Sequence, residues 1–583
     1  MKANIFNDFF ANVGREAIKD LPPPQKDFRD FLGPSRALSS IVLNPITPEA
    51  LRGVIKSLKP KESKDINGIS SKLLQFVADE ISVPLSHIFN VSIKEGIFPD
   101  CLKVSKTVPI FKSGDHLDVN NYRGVSLIDS FSKVFEKALA TRIISFLDQN
   151  SFFYDNQFGF RTGFSTSLAI TKVTNFITHA LDQNERVLAI FLDIKKAFDS
   201  CDREILLSKL DNAGIRGVAN DLFRSYFEGR KQKVFLNGTF SEYTTDITLG
   251  VLQGSILGVL MFLIYINDIQ ASCTELTNIL FADDNTGLIK DKSMDNLIRK
   301  ANSQLNDLYI WYNSNKLALH PSKSRAMIFY PPSRPPNELS KIDDHYYFPL
   351  YINYNQNINN EEMSLDNIKM IRLIPNREES SFKLLGVLID CHLNMKDHCK
   401  AVESKLTRGT FAINQMKNFL DPPYLKLLAN AFICSHLEYC CSLFTMCNKT
   451  TIRPLEIVLK KIVRLVSGVR RFEHTAPIFK ELNILPVDEM IELNILKFMH
   501  RFYYNNLPKT FEKTWKKSGD VSQRVTRNAG NLYIPHFDLE YFRYKPLFAF
   551  PRTWNELPRE IREIGDFHLF VTKAKKHLLN HIQ

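Results

Sequence analysis

Residues Asn278 to Leu288 read NILFADDNTGL: a short apolar strand runs into the carboxylates of Asp283 and Asp284, then a turn, then a second strand. Paired carboxylates at the tip of a hairpin hold divalent metal against phosphate. An ordinary acidic turn is the alternative, because Asp and Asn favour such positions anyway. A second segment shifts the balance. In RVLAIFLDIKKAFDSCD, Arg186 to Asp202, a continuous apolar run ends at Asp193, as expected of a central strand buried on both faces with a carboxylate at its exit. If that strand lies beside the hairpin, Asp193 and Asp283 converge. Two metals roughly 3.5–4 Å apart then fit between them, one activating a hydroxyl and the other clamping a triphosphate and its leaving group. Two Mg2+ ions are expected, since Mg2+ takes hard oxygen ligands and tolerates sites completed by phosphate and water, with Mn2+ as a substitute. The chemistry implied is that of a polymerase.

Such a site needs a large frame. The chain has 583 residues, too many for one compact core, so several subdomains are expected. Hydrophobic residues at 44% permit real cores, and 75 Lys plus Arg against 63 acidic residues leave a net charge of +12. That balance fits a polyanionic partner, because neutralising phosphates releases counterions. The opening MKANIFNDFFANVGREA lacks the uninterrupted apolar core of a signal peptide. The longest apolar stretch, around Val259 to Ile266, is far shorter than the roughly 20 residues of a membrane span. The expectation is a soluble intracellular protein with no membrane partner. Nine cysteines, from Cys101 to Cys447, give no disulfide framework. CHLNMKDHC, Cys391 to Cys399 with His392 and His398, lacks the ligand spacing of a zinc finger or knuckle. Cys434, Cys440, Cys441 and Cys447 are expected to pack as small hydrophobes on helices.

The order PIFKSGD (Pro109 to Asp115), NYRGVSL (Asn121 to Leu127), QFGFRTGFST (Gln157 to Thr166), FLDIKKAFD (Phe191 to Asp199), GVLQGSILG (Gly250 to Gly258), FADD, NKLALHPSKS (Asn315 to Ser324) and LLGVLID (Leu384 to Asp390) resembles the reverse transcriptases of non-LTR, LINE-type retrotransposons, nearest the jockey-like group. One motif would be weak; this many in one order are strong. SHLEY (Ser435 to Tyr439) and TWNELP (Thr553 to Pro558) extend the likeness over nearly the whole chain. The resemblance implies an α+β right-hand polymerase. Residues 1–75 would be a helical connector, 76–390 fingers and palm with an antiparallel sheet backed by helices, 391–470 a helical thumb, and 471–583 a basic helical C-terminal region. The polar Asn- and Tyr-rich stretch from Ser333 to Glu362 marks an insertion over about 333–378, or a mobile loop.

The implied activity is RNA-directed DNA polymerisation: transfer from a dNTP to a primer 3′-hydroxyl on an RNA template. Its partners would be RNA template, DNA primer or target, and dNTPs, acting in the nucleus and in a cytoplasmic RNA–protein complex. Relatives usually carry a metal-dependent endonuclease ahead of this point and the chain leaves no space for one, so endonuclease activity is expected from another protein. The rival expectation is a catalytically inactive, retroelement-derived nucleic-acid-binding protein.

By resemblance, the main-chain carbonyl of Ile194 joins Asp193 and Asp283 as a metal ligand, with Asp284 supporting their geometry. Phe198 falls beneath the incoming sugar, where an aromatic ring clashes with a 2′-hydroxyl and favours DNA synthesis; a plain core phenylalanine is the alternative. Lys112 and Arg123 would fold over the triphosphate and offset charge on the leaving pyrophosphate. Lys323 resembles a general acid for that leaving group. Gln253, Gly254 and Ser255 precede an apolar helix, glycine allowing close approach of template and nucleotide and Ser255 capping the helix. Arg161 and Phe160 suit contact with a template backbone and its bases, although Phe158 and Phe160 also fit a core at period two. WKK (Trp515 to Lys517) and RVTRN (Arg524 to Asn528) suit nucleic acid or a solvated basic face alike. The family's usual residues are replaced by Gly124, Leu252, Val259 (each for proline) and His320 (for asparagine).

Overall fold

A computed structural model describes residues 2–33, 39–335, 379–521 and 530–582, with the backbone of three short strands between 351 and 374. Two five-stranded sheets carry the architecture. The first comprises β1 (Val104–Phe111), β2 (Tyr122–Leu127), β4 (Lys231–Leu236), β5 (Thr239–Phe240) and β6 (Thr245–Asp246). Here β1 pairs antiparallel with β2 and parallel with β4. The second contains β3 (Arg186–Leu192), β7 (Thr277–Phe281), β8 (Asp284–Asp291), β9 (Arg325–Phe329) and β12 (Arg372–Ile374), in the order β12-β9-β3-β8-β7. All its pairings are antiparallel except β12 with β9.

β3 is central and almost wholly buried, as its apolar run requires. Its side chains alternate between faces, and the alternation divides the molecule. Val187, Ala189 and Phe191 enter one hydrophobic core, while Leu188, Ile190 and Leu192 enter another. The first core continues through the helix Thr166–Asp182, the hairpin of β13 (Ser381–Leu384) and β14 (Val387–Asp390), and the helices Lys396–Met416, Lys449–Ser467, Val487–Tyr503, Pro546–Glu556 and Phe567–Asn580. The second takes in the helices Ala78–Glu95, Ser130–Gln149, Arg203–Asn212, Ile256–Tyr265 and Met294–Ser314. The result is an α+β arrangement consistent with a right-hand polymerase and a helical C-terminal region. That region shares one core with the central sheet and the helices after β14; Trp554 and Phe570 are fully buried in it.

Several expectations need revision. Helix α1 (Lys2–Ile18) is built into the first sheet. Its buried Asn7 donates to the Tyr243 carbonyl (3.1 Å) and Thr245 Oγ1 (2.8 Å), while Gln232 Nε2 donates to the Asn7 carbonyl (3.0 Å). The expected insertion lies mostly outside the described residues; β12 within it pairs with β9 in the central sheet. Trp515 of WKK is a core residue whose indole donates to the Leu547 carbonyl (2.9 Å); RVTRN lies outside the described residues. Cys434, Cys440, Cys441 and Cys447 are all buried. In CHLNMKDHC, Cys399 Sγ stands 3.4 Å from Cys447 Sγ and the His398 ring stacks on Phe444. The apolar stretch around Val259 lies in the buried helix Ile256–Tyr265, and no helix among the described residues is long and apolar enough to cross a membrane.

Candidate active site

β3 and β8 pair directly, with Leu192 opposite Asn285. The next residue of each strand, Asp193 and Asp284, therefore emerges at the same end of the sheet. Phe281 pairs with Asp284, so the hairpin turn is Ala282–Asp283. Here the structure corrects the sequence reading: Asp283 occupies the turn, and Asp284 opens β8 instead of preceding the turn. Burial, offset by nearby Arg123 and reinforced by repulsion from Asp193, holds the Asp283 carboxyl above the usual range. Asp284 keeps solvent access yet is pushed up to about 6 by its partly desolvated surroundings and then by the charges of Asp283 and Asp193.

Asp193 is fixed from the other side by the segment 315–324. Its amide donates to Ser324 Oγ (3.2 Å) and its carbonyl accepts from His320 N (2.8 Å). Ile194 lies opposite Leu319 in an isolated antiparallel bridge, whose bonds use the carbonyls of Asp193 and Ala318 rather than that of Ile194. Among the described residues, no three His, Cys, Asp or Glu side chains already form a metal-holding group. The donors present are two carboxylates that repel one another and a neighbouring carbonyl outside the bridge's bonding. That hard, open oxygen set suits Mg2+ completed by substrate phosphate and water, and a divalent cation would relieve the repulsion.

Facing the carboxylates is an arc of cations. Lys112 stands near Arg123, Lys196 and Lys323; burial and those like charges lower its ammonium pKa. Arg123 and Lys112 also act on Asp283. Lys323 is exposed, with its amide turned onto the His320 carbonyl (3.0 Å). Burial, then Lys323, keep the His320 imidazole below its ordinary value. So Lys112, Arg123 and Lys323, drawn from distant motifs, come together.

Two members of this arc were missed from the sequence. Lys196 sits in a left-handed backbone conformation at φ 47°, and Asp199 lies beneath the cations. Burial pushes Asp199 up to about 6 while Lys196, Arg123 and Lys112 pull it down. Asp199 Oδ2 accepts from Gln253 Nε2 (2.9 Å), tying the β3 exit to the 250–254 loop. Its position directly after Phe198 was the one available signal. Phe198 is half-buried, stacks on Phe262 with centroids 4.5 Å apart, and accepts at its carbonyl from Val251 N (2.8 Å).

The 250–254 loop is stitched to β2 through Ser126 N and the Gln253 carbonyl (2.8 Å), and Gly254 adjoins the Ser126 carbonyl. Ser255 caps the following helix, accepting from Gly258 N (2.8 Å). The same helix end is held by a carboxylate that sequence reasoning overlooked: buried Glu136 accepts from Ile256 N (2.9 Å), Leu257 N (3.2 Å) and Tyr226 OH (2.9 Å). The departure at Gly124 also has a cause. A Cβ here would fall 3.0 Å from the Phe10 ring of α1 and 3.1 Å from Thr107 Cγ2, so a larger residue is accommodated only if these neighbours shift.

QFGFRTGFST separates into different parts. Phe158 is buried, while Phe160 is 61% exposed and held at φ 56° beside Phe281. Arg161 is anchored within the protein. Its guanidinium donates to the Tyr154 (3.0 Å) and Gln157 (3.3 Å) carbonyls and lies over the rings of Phe153 and Phe164, bracing the loop.

An apolar central strand ending in a carboxylate, an acidic hairpin beside it and a cationic arc opposite are consistent with the palm of a right-hand polymerase. Residues 110–389 match the family model described as reverse transcriptase (RNA-dependent DNA polymerase), and they form a reverse transcriptase domain. The chain is homologous to the RNA-directed DNA polymerases of jockey-like non-LTR retrotransposons. It is 24% identical over 515 residues to "RNA-directed DNA polymerase from mobile element jockey" of Drosophila melanogaster, covering 85% of this chain and 52% of that protein. The Drosophila funebris protein of the same name is 23% identical, covering 83% and 51%. "Probable RNA-directed DNA polymerase from transposon BS" of Drosophila melanogaster is 23% identical, covering 79% and 49%. The chain thus spans about half the length of these relatives.

Proposed function

We propose that the chain is an RNA-directed DNA polymerase of a non-LTR retrotransposon, joining dNTPs to a primer 3′-hydroxyl along an RNA template. The observation that carries this reading is the meeting of Asp193 with the Asp283–Asp284 hairpin across paired strands, opposite cations from four separate motifs. Asp193 and Asp283, with the Ile194 carbonyl, would hold two Mg2+ or Mn2+ ions, which when bound activate the primer hydroxyl and polarise the triphosphate.

The protein's own groups do the rest. Lys112, Arg123 and Lys196 bind the triphosphate and offset charge building on the leaving pyrophosphate. Lys323, exposed at the rim, donates a proton to that leaving group. Phe198 lies beneath the sugar and excludes a 2′-hydroxyl, with Phe262 backing its ring. Gln253, Gly254 and Ser255 shape the floor under nucleotide and template, and exposed Phe160 offers a ring for a template base. In this reading the enzyme acts in the nucleus and primes on a nicked chromosomal end.

The test is purified protein with Mg2+, a primed RNA template and labelled nucleotides. Extension with dNTPs, lost in Asp193→Ala, is expected. Absence of extension where a related enzyme extends, with primed RNA still bound and its binding unchanged in Asp193→Ala, would replace this reading with that of an inactive nucleic-acid-binding protein.

A further inference from the structure

The turn that carries Asp283 does not hold its shape unaided. Ala282 sits at φ 55°, a conformation that costs a non-glycine residue about 1 kcal/mol or more and persists only where its surroundings impose it. The segment Asn156 to Gly159 supplies them. Phe158 N donates to the Leu280 carbonyl (2.7 Å), Leu280 N donates to the Asn156 carbonyl (2.9 Å), and Gln157 forms a parallel bridge with Leu280. The Gln157 side chain is 1% exposed, and its Oε1 accepts from both Gly159 N (2.9 Å) and Ala282 N (3.0 Å). Two backbone donors on one atom fix which end of the amide is oxygen. The approach is close: a Cβ on Gly159 would stand 2.3 Å from Ala282 N. Gln157 Nε2 is buried without a hydrogen-bond partner. A native fold tolerates such a cost, about 1–3 kcal/mol, where the other end of the group is needed.

We propose that Gln157 is a positioning residue for Asp283: its buried carboxamide oxygen clamps the Ala282 amide and presents the Asp283 carboxylate opposite Asp193 before a metal or nucleotide binds. The clamp is anchored further back. Asn156 Oδ1 accepts from Thr510 Oγ1 (2.6 Å), and Lys172 Nζ donates to the Thr510 carbonyl (2.7 Å), so the C-terminal region braces the strand that holds the turn. The metal-binding part of the claim rests on the function proposed above; the clamp itself does not.

The experiment uses the full chain and two variants, Gln157→Leu and Gln157→Glu. Amide hydrogen exchange is followed at Gly159, Ala282 and Asp283, Mn2+ binding by calorimetry without nucleotide, and single-turnover extension on a primed RNA. For Gln157→Leu, exchange at Ala282 and Gly159 accelerates, Mn2+ affinity falls about tenfold and the extension rate falls about 10–100-fold, as when a supporting partner of a metal ligand is lost. The dNTP concentration for half-maximal rate stays within about twofold, because the cations are untouched. Gln157→Glu keeps the acceptor and retains slow exchange, which a role in packing alone would not distinguish from Gln157→Leu. Parental exchange and Mn2+ affinity in Gln157→Leu would overturn the proposal, as would fast exchange in Gln157→Glu. If the parent never extends a primer while exchange responds as described, the polymerase reading fails and the clamp stands.

Discussion

The two faces of the central sheet lead to different machinery. On the face of Val187, Ala189 and Phe191, one continuous core binds the sheet to the helices after β14 and to the C-terminal region. On the face of Leu188, Ile190 and Leu192, a second core includes Ala197, next to Lys196, and packs against Phe198. The carboxylates belong to neither face, since they leave the end of the shared strands. The two halves are therefore expected to fail differently.

Removing what both faces share has the largest effect. Asp193→Ala lowers the extension rate on the order of 10³-fold or more, with dNTP and template affinity nearly kept, because stabilisation of the reacting groups is lost rather than binding. Single-turnover kinetics check this.

Next comes acid sensitivity of the first face. His398 is 6% exposed and its Nδ1 lies 3.5 Å from Leu388 N. Burial, then the charge of Lys405, depress its pKa from 6.5 to about 4. The unfolded chain takes up this proton near pH 6.5 and the folded chain only near 4, so stability is full above 6.5 and falls progressively towards 4. The loss is about 3 kcal/mol. Urea midpoints at pH 7 and 4.5 measure it, and His398→Gln flattens the difference.

Away from the first face, on β2, Arg123→Ala weakens nucleotide use by about 2 kcal/mol, roughly thirtyfold, chiefly through KM. Its urea midpoint at pH 4.5 matches the parent's. An Arg123 variant that changed acid stability, or a His398 variant that changed KM for dNTP, would erase the distinction between the faces. The smallest effect is in discrimination: Phe198→Ala lowers the preference for deoxy- over ribonucleotides roughly tenfold, read from competing incorporation.

The sequence made the core of this arrangement legible because its signals are local. An apolar run ending at Asp193 suits a buried strand with its carboxylate at the exit, and FADD suits the turn of a hairpin. The turn's register was not legible: sequence gives no sign that Ala282 takes a positive φ and shifts Asp284 into the strand. The internal bonds of Arg161 were not legible, because charge and aromatic neighbours suit a template and an internal brace equally, while the carbonyls of Tyr154 and Gln157 that it reaches are set by tertiary folding. Lys196 and Asp199 lay inside a quoted motif, yet their meeting with residues from β1, β2 and the 250–254 loop is a property of the sheet. The C-terminal helices read as a separate region because amphipathic periodicity reports a buried face without naming what buries it.

The contact of Phe10 with Gly124 bears on how such a chain can change over generations. A larger residue at position 124 needs room that the Phe10 ring and Thr107 now fill, so positions 10 and 124, 114 apart in the numbering, constrain one another. An amino-terminal helix joined to this domain from elsewhere would arrive without its seat.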